Sequence, residues 1–167
     1  MSIKGGKPNN RALSPNLIVR DAQEAVAFYG RVFGAEQLYV SRLPNGKVLH
    51  AQLRVGESVF LVSEENMGMP EAQMAKFERG MRTRSPQTLG GTSCVIELYV
   101  DDIDATFQRA LDAGAKVKMP PVDQFYGDRV GHFEDPFGHV WGVGQVLEEL
   151  EPAEVDRRAA QRFAPAE

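Results

Sequence analysis

Two stretches of the chain repeat one pattern of apolar and polar positions, residues 17–35 and residues 98–115. Each begins with alternating apolar residues, which predict a strand, and continues with apolar residues three or four apart, which predict a helix. An aspartate stands between the two segments, where its carboxylate can accept hydrogen bonds from the first N–H groups of the helix. The predicted N-caps are therefore Asp21 and Asp102, and the glycines that end the helices are Gly34 and Gly114.

Strand signals follow each predicted helix, separated by turns rich in glycine and proline. Pro44-Asn45-Gly46 and Gly56-Glu57 are the turns of the first copy, and Asp135-Pro136-Phe137-Gly138 is the last turn of the second. The predicted strands are residues 38–42, 47–55 and 58–62 in the first copy and 116–119, 129–134 and 139–146 in the second. The order βαβββ therefore occurs twice, which predicts an α+β fold.

The remaining segments complete the predicted domain organisation. It consists of a flexible N-terminus (1–12), a first βαβββ module (13–63), a linker or lid (64–92), a second βαβββ module (93–146) and a C-terminal helical tail (147–167). The methionines of the linker suit a flexible cover over an apolar ligand. The alternative is a surface helix over 70–79 whose Met74 and Phe77 touch the core. In 147–163 acidic residues precede basic ones, the order a helix dipole favours, so we expect a terminal helix packed on the body or on a second subunit.

Charge and composition exclude several classes of partner. A formal net charge of −4 provides no positive field for a phosphate backbone, so no nucleic acid is expected. The apolar runs have strand length, too short to cross a membrane, and no apolar targeting segment is found near the start of the sequence. We therefore expect a cytoplasmic protein. Cys94, the single cysteine, stands in an apolar run and is predicted to be a small buried core residue.

Short motifs in both copies and in the linker carry a family resemblance. They are 13–21 (LSPNLIVRD), 28–29 (FY), 33–35 (FGA), 85–87 (SPQ), 98–102 (LYVDD), 123–129 (DQFYGDR) and 135–139 (DPFGH). With these motifs, the chain resembles the vicinal oxygen chelate superfamily, which includes glyoxalase I, bleomycin-resistance proteins, fosfomycin-resistance enzymes and extradiol dioxygenases. Within it, the chain is most similar to PhnB-like proteins. The resemblance implies two βαβββ modules that form a curved, half-closed mixed sheet around a cleft, with the helices outside, and it implies a homodimer.

Metal-dependent members of that superfamily place a His or Gln near the start of the first strand of each module and a Glu or His in each last strand. Their octahedral sites hold Mn, Fe, Ni or Mg. Here the first-strand positions correspond to Ser14 and Val95, and the last strand of the second module offers Gly142. The last strand of the first module offers only Val59, Phe60 and Leu61. None of these residues is a competent ligand, even with the register moved by one, so neither a metal nor another cofactor is predicted.

The candidate binding residues are polar and aromatic side chains that strand alternation places away from the helices. Phe125 and Tyr126 could stack on a planar ligand, and Gln124 and Arg129 could bind its oxygens. In the alternative, the two aromatic rings seal the cleft floor and Arg129 pairs with Asp128 or Glu97. The predicted substrate-binding residues are His50, Gln52, Glu97, Tyr99, Gln124, Phe125, Tyr126, Arg129 and His132.

Three functions remain open from the sequence. The preferred one is a metal-independent protein that binds and sequesters a small, partly aromatic molecule, such as an antibiotic or a metabolite. The second is a lyase, isomerase or dioxygenase of the same superfamily, in which Glu97 acts as general base and His50 or His132 relays protons. The third is an interaction protein whose cleft is filled by a partner subunit or by the methionine-rich linker. His139, which directly follows Gly138, is interpreted as a turn residue.

Overall fold

The computed structural model describes residues 13–74 and 82–164, and these form two compact units. The first unit holds the described residues up to Ser93 together with Phe137–His139. The second holds Cys94–Pro136 and the described residues from Val140 onward. The predicted flexible segment 1–12 lies outside the described residues. Each unit contains one four-stranded sheet with a helix packed on one of its faces.

The first unit is the first βαβββ module. Its sheet has the order β1-β4-β3-β2, in which β1 is parallel to β4 and the other pairs are antiparallel. The elements are β1 (Asn16–Val19), α1 (Ala22–Phe33), β2 (Glu36–Arg42), β3 (Val48–Val55) and β4 (Ser58–Glu64). Asp21 caps α1 as predicted, accepting a 3.0 Å hydrogen bond from the Glu24 N–H, and Gly34 ends the helix at φ +66°.

An aromatic cluster forms the core of the first unit beneath α1. Phe28 and Tyr29 are fully buried, and their rings meet edge to face at 5.5 Å. The Phe60 ring lies 5.5 Å from Tyr29, and the Phe137 ring lies 5.9 Å from Phe28. His139 is also buried here, and its Nε2–H donates to the Ile18 carbonyl at 3.1 Å. His139 lies between the turn and β8, as expected for a turn residue, and its ring is in addition anchored to the backbone of β1.

The linker begins and ends in short helical turns that are tied to each other. They are a 3₁₀ turn (Glu65–Gly68), α2 (Glu71–Met74) and α3 (Pro86–Leu89). The Glu65 carboxylate accepts hydrogen bonds from the Ser85 N–H at 3.0 Å, the Ser85 hydroxyl at 2.6 Å and the Thr88 hydroxyl at 2.8 Å. Of the helix expected over 70–79, only α2 lies within the described residues. Phe77, expected to touch the core, lies outside them.

The second unit repeats the architecture of the first, with the strand order β5-β8-β7-β6. Its elements are β5 (Val95–Tyr99), α4 (Ile103–Asp112), β6 (Lys116–Asp123), β7 (Asp128–Glu134), β8 (Val140–Val146) and α5 (Pro152–Arg162). Asp102 caps α4 by accepting a 2.9 Å hydrogen bond from the Ala105 N–H, and Gly114 follows the helix at φ +95°. The terminal helix expected over 147–163 begins only at Pro152, which occupies its first turn.

Close packing of α4 on β7 organises the core of the second unit. The Phe107 and Phe133 rings meet edge to face at 5.3 Å. Gly131 lies directly beneath this contact, where an added Cβ would come within 2.8 Å of the Phe107 ring. Asp135 directly follows β7, and its carboxylate accepts a 2.9 Å hydrogen bond from the indole N–H of the buried Trp141 on β8. This bond fixes the turn between the two strands.

Two local predictions for the second unit were wrong. Strand β6 does not end at Met119 but continues through Pro120 and Pro121 to Asp123. It is the edge strand of its sheet and has irregular register there, so the missing proline N–H groups cost no ladder hydrogen bond. Cys94 is exposed and not buried, because it stands before the first residue of β5.

The two units confirm the α+β fold with two βαβββ modules and mixed sheets, and neither sheet closes into a barrel. Within the part of the chain that is described, no helix is both long and apolar enough to span a membrane.

Candidate functional site

The candidate residues are distributed over the two sheets. We call the side of each sheet opposite its packed helix the open face. In the first sheet, Ala51 and Leu53 of β3 are fully buried toward α1, and His50 and Gln52 alternate with them on the open face. This confirms the alternation that the sequence predicts for β3.

His50 belongs to a chain of hydrogen bonds that crosses three strands of the first open face. Its Nδ1 lies 2.9 Å from the Ser63 hydroxyl, which donates to the Asn16 side-chain oxygen at 2.9 Å. Because Ser63 donates its hydroxyl proton to Asn16, its oxygen is free to accept a hydrogen bond from the Nδ1–H tautomer of His50. Neither Asn16 nor Ser63 is among the substrate-binding residues predicted from the sequence.

Gln52 lies in the next row of the same face, between Leu61 of β4 and Tyr39 of β2. Its side chain is almost completely buried, although Tyr39 beside it is exposed. The first open face therefore combines an imidazole, a hydroxyl and two amides with the ring of Tyr39. These groups can both donate hydrogen bonds to an organic molecule and accept them from it.

In the second sheet, two glycines of β8 leave space on the open face for side chains of β5. Gly142 lies in register between Glu97 and His132, and Gly144 lies between Tyr99 and Val130. The Glu97 carboxylate lies directly over Gly142, in the space that a Cβ there would occupy. The Tyr99 ring covers Gly144 in the same way, with ring atoms 3.0 to 3.3 Å from the position of an added Cβ.

Two carboxylates and two phenols form what we call the acid–phenol cluster: Glu97, Tyr99, Tyr126 and Asp128. The Tyr99 hydroxyl donates to the Asp128 carboxylate at 2.7 Å, and this bond, with burial and the charge of Asp128, raises the pKa of Tyr99 to about 12. Burial and the charges of Asp128 and Glu97 also raise the pKa of Tyr126. Both phenols therefore remain neutral at physiological pH in a region of negative potential. Asp128 entered the sequence analysis only as an alternative partner of Arg129.

An open cavity of about 320 Å³ adjoins this cluster at the carboxyl ends of β5 and β8. Gln145 is fixed in its wall, because its side-chain oxygen accepts the N–H of Ile103 at the start of α4. The cavity is lined by Tyr99, Val100, Asp101, Gln145 and Val146.

Gln124 and Phe125 belong to the tight turn between β6 and β7. The Gln124 side-chain amide donates to the Val122 carbonyl at 3.3 Å. The Phe125 ring makes edge-to-face contacts with Tyr126 at 5.2 Å and with Phe163, just after α5, at 5.7 Å. Phe125 therefore packs between neighbouring aromatic side chains of the second unit.

Arg129 lies on the helix side of the second sheet, away from the open face. Its guanidinium forms ion pairs with Asp104 of α4 at 3.1 Å and with Asp123 of β6 at 2.6 Å. These two carboxylates raise the pKa of Arg129. The alternative in which Arg129 pairs with Asp128 or Glu97 was therefore wrong.

Comparison with known proteins places this arrangement in a family. A model of the Glyoxalase/Bleomycin resistance protein/Dioxygenase superfamily matches residues 11–143. The chain belongs to this superfamily. It is 42% identical over 144 residues to the uncharacterized protein Mb0911c of Mycobacterium bovis, covering 86% of this chain and 89% of that one. The uncharacterized protein Rv0887c of Mycobacterium tuberculosis is also 42% identical over 144 residues, covering 86% of this chain and 79% of that one.

Solved structures of the superfamily fold agree with this assignment. The crystal structure of TioX from Micromonospora sp. ML1 matches with a TM-score of 0.59 and 26% identity, covering 83% of this chain and all of that chain. A glyoxalase/bleomycin resistance protein/dioxygenase family enzyme from Burkholderia phytofirmans PsJN matches with a TM-score of 0.58 and 24% identity, covering 79% of this chain and 95% of that chain. The match to the Burkholderia phytofirmans protein shows a shared fold and nothing more.

The residues at the superfamily's metal-ligand positions do not fit a metal ion. Val95 is half exposed and apolar, and Gly142 has no side chain. The Ser14 hydroxyl oxygen is buried with no hydrogen-bond partner among the described residues, but a neutral hydroxyl is a poor substitute for an imidazole or a carboxylate. Across residues 13–74 and 82–164, no three His, Cys, Asp or Glu side chains group closely enough to hold a metal ion.

Proposed function

We propose that this chain is a metal-independent member of the superfamily that binds and sequesters a small organic molecule with an aromatic part, such as an antibiotic or a metabolite. One observation carries the proposal: the Glu97 carboxylate occupies the space over Gly142 where a metal-binding relative would begin its ligand side chain. This single carboxylate does not rebuild a metal site, because the first-strand ligand positions of the two modules are still occupied by Ser14 and Val95.

The open faces offer the chemistry that such binding needs. His50, Ser63 and Asn16 form one hydrogen-bonding row, and Tyr99 presents an exposed ring with a polar end. Small-molecule sites typically combine apolar and aromatic surface with a few fixed polar groups. The superfamily model that matches this chain carries bleomycin resistance in its description, which agrees with a binding role.

The test is a thermal-shift screen of small aromatic compounds against the purified full-length protein in excess EDTA. A ligand that binds the folded state raises the midpoint of unfolding in proportion to its concentration and affinity. We expect at least one class of compound to stabilise the metal-stripped protein as well as it stabilises untreated protein. Stabilisation that disappears with EDTA and returns with added metal would contradict the proposal.

A second candidate is an acid–base enzyme of the superfamily, a lyase, isomerase or dioxygenase. It is favoured by the row Glu97, Gly142, His132, in which a glycine separates the backbones of a glutamate and a histidine. Two strand spacings separate these two backbones by roughly 10 Å. The Glu97 carboxylate extends over Gly142, toward the strand that carries His132, so a general base and a proton relay would come from nearby strands. Mass spectrometry of a bound ligand after incubation separates the candidates: recovery of intact ligand supports sequestration. Turnover lost in both Glu97→Gln and His132→Gln would support the enzyme.

Membership of the PhnB-like branch, a cytoplasmic location and a homodimer remain predictions within this proposal. Exposed apolar side chains such as Leu89 and Phe163 provide surface that association of two copies could cover. Light scattering coupled to size-exclusion chromatography tests the dimer. A mass equal to one 18.5 kDa chain at all concentrations would contradict it.

A further inference from the structure

The carboxylates of the acid–phenol cluster, and Asp101 in the cavity wall, lack the basic partners that other carboxylates in the same unit have. Arg129 is paired with Asp104 and Asp123, and Lys118 with Glu134. Farther along, Arg158 pairs with Glu148 and Glu154. Neither Glu97 nor Asp101 has an ion pair or hydrogen bond to another described side chain, and Asp128 is bonded to the neutral phenol of Tyr99. The negative charge beside the cavity is therefore not neutralised by the described residues.

The cavity places an aromatic ring next to this charge. One side of the Tyr99 ring rests on Gly144, and 59% of the residue's surface remains exposed. Asp101 and Tyr99 line the cavity together with the apolar side chains of Val100 and Val146. An aromatic face, a carboxylate and aliphatic walls are the groups that recognise an organic ammonium ion, because the ring and the carboxylate both attract the cation while the walls contact its alkyl groups.

The pKa values of two neighbouring phenols agree with a negative potential here. The hydrogen bond to Asp128, burial and the charge of Asp128 raise the pKa of Tyr99, burial and the charge of Asp128 raise that of Tyr126, and the charge of Glu97 adds to both. A region that resists the ionisation of two phenols also resists an anionic ligand. The same region favours a cation, and binding a cation would make both phenols easier to ionise.

We propose that the cavity beside Tyr99 binds the ammonium group of an organic cation, with Asp101 as its counter-ion and the Tyr99 ring against its alkyl groups. This inference rests on the proposed function and narrows it, because it specifies the charge of the ligand. Gln145, whose side-chain oxygen is held by Ile103, presents its amide group at the same wall. The ligand is therefore an amine or a quaternary ammonium compound.

The test compares choline with 3,3-dimethylbutan-1-ol, a neutral molecule of nearly the same shape. Both are titrated into ¹⁵N-labelled full-length protein in EDTA, and amide chemical shifts are followed by NMR. We expect choline to bind about tenfold more tightly than the alcohol, with the largest shifts at Gly144 and Val146, since a desolvated cation–π contact and a counter-ion act together. Added NaCl should weaken choline binding and leave the alcohol unaffected.

Three variants connect this binding to the cavity. Asp101→Asn and Tyr99→Leu should each weaken choline binding by about three- to tenfold, because they remove the counter-ion and the ring. Glu24→Gln on α1 is the matched control: it removes one exposed negative charge from the first unit and should leave binding unchanged. Thermal unfolding of each variant verifies that the fold is retained.

The outcomes separate this inference from the proposed function. Equal binding of choline and the neutral alcohol would overturn the cation inference and leave metal-independent binding intact. Choline shifts that persist unchanged in Asp101→Asn and Tyr99→Leu would overturn the assignment to this cavity, as would no shift with either probe. A different outcome would contradict the proposed function itself: ligand binding that requires an added metal.

Discussion

The Glu97 carboxylate lies over Gly142, and each residue determines what the other can be. A Cβ on residue 142 would overlap the carboxylate, but the obstacle is the end of a flexible side chain. We therefore predict that Gly142→Ala lowers the free energy of unfolding of the wild-type protein by about 1 kcal/mol. In a protein that already carries Glu97→Ala, the same substitution should lower it by less. Urea unfolding of the two single variants and the double variant measures the coupling. Strictly additive effects would show that the two residues do not compete for this space.

Gly131 provides a contrasting case, because its neighbours cannot move aside. An added Cβ would meet the buried Phe107 ring at 2.8 Å and the Pro121 backbone nitrogen at 2.9 Å. We predict that Gly131→Ala destabilises the protein by about 1 to 3 kcal/mol through overpacking.

Gly91→Ala is the control for this prediction, since nothing lies within 4 Å of its added Cβ. It should change the free energy of unfolding by no more than about 0.5 kcal/mol. Equal unfolding midpoints for the two variants in urea would contradict the packing of α4 on β7.

Glu65 makes the stability of the linker junction dependent on pH. Burial acts to raise the pKa of Glu65, but hydrogen bonds from Ser85 and Thr88, with the nearby charge of Arg20, lower it below its usual value. A pKa lowered in the folded state contributes stability above the pKa of the unfolded chain, and this contribution is lost as the pH falls through the folded value.

The prediction is that Glu65→Gln reduces the loss of stability between about pH 7 and about pH 3. Chemical unfolding at several pH values measures it, and Glu24→Gln, whose carboxylate is exposed, serves as the reference. An unchanged pH profile for Glu65→Gln would show that the junction is not held by this carboxylate.

Tyr99 is predicted to ionise only at high pH. Its hydrogen bond to Asp128 raises its pKa to about 12, so the stability it contributes is present below the unfolded pKa and lost as the pH rises through the folded one. Ultraviolet absorbance of tyrosinate follows the titration. Tyr99→Phe should remove the late step, and Asp128→Asn should shift it to lower pH. A late step that survives in Tyr99→Phe would assign it to another tyrosine.

Features that depend on residues close together in the sequence could be predicted from it. Asp21 and Asp102 cap their helices because the accepting carboxylate and the donating N–H are three residues apart. The placement of His50 and Gln52 on the face opposite Ala51 and Leu53 also followed from local pattern, since successive strand residues point to opposite faces.

Side-chain partners that are distant in sequence could not be predicted in the same way. Arg129 pairs with Asp104, 25 residues earlier, because β7 packs beneath the start of α4, and no local pattern encodes that register. Phe125 is covered by Phe163 from the C-terminal segment for the same reason. Cys94 was expected to be buried because it adjoins an apolar run, but its neighbour Val95 is itself half exposed at the start of an edge strand.

The metal content of the purified protein is the sharpest check on metal-independent binding. The protein is expressed with Mn, Fe, Ni and Zn supplied in the medium, purified without chelator or affinity metal, and analysed by inductively coupled plasma mass spectrometry. With Ser14, Val95 and Gly142 at the ligand positions, we expect that no metal is retained in stoichiometric amount. About one equivalent of a single transition metal per chain, resistant to dialysis and lost together with ligand binding, would contradict it.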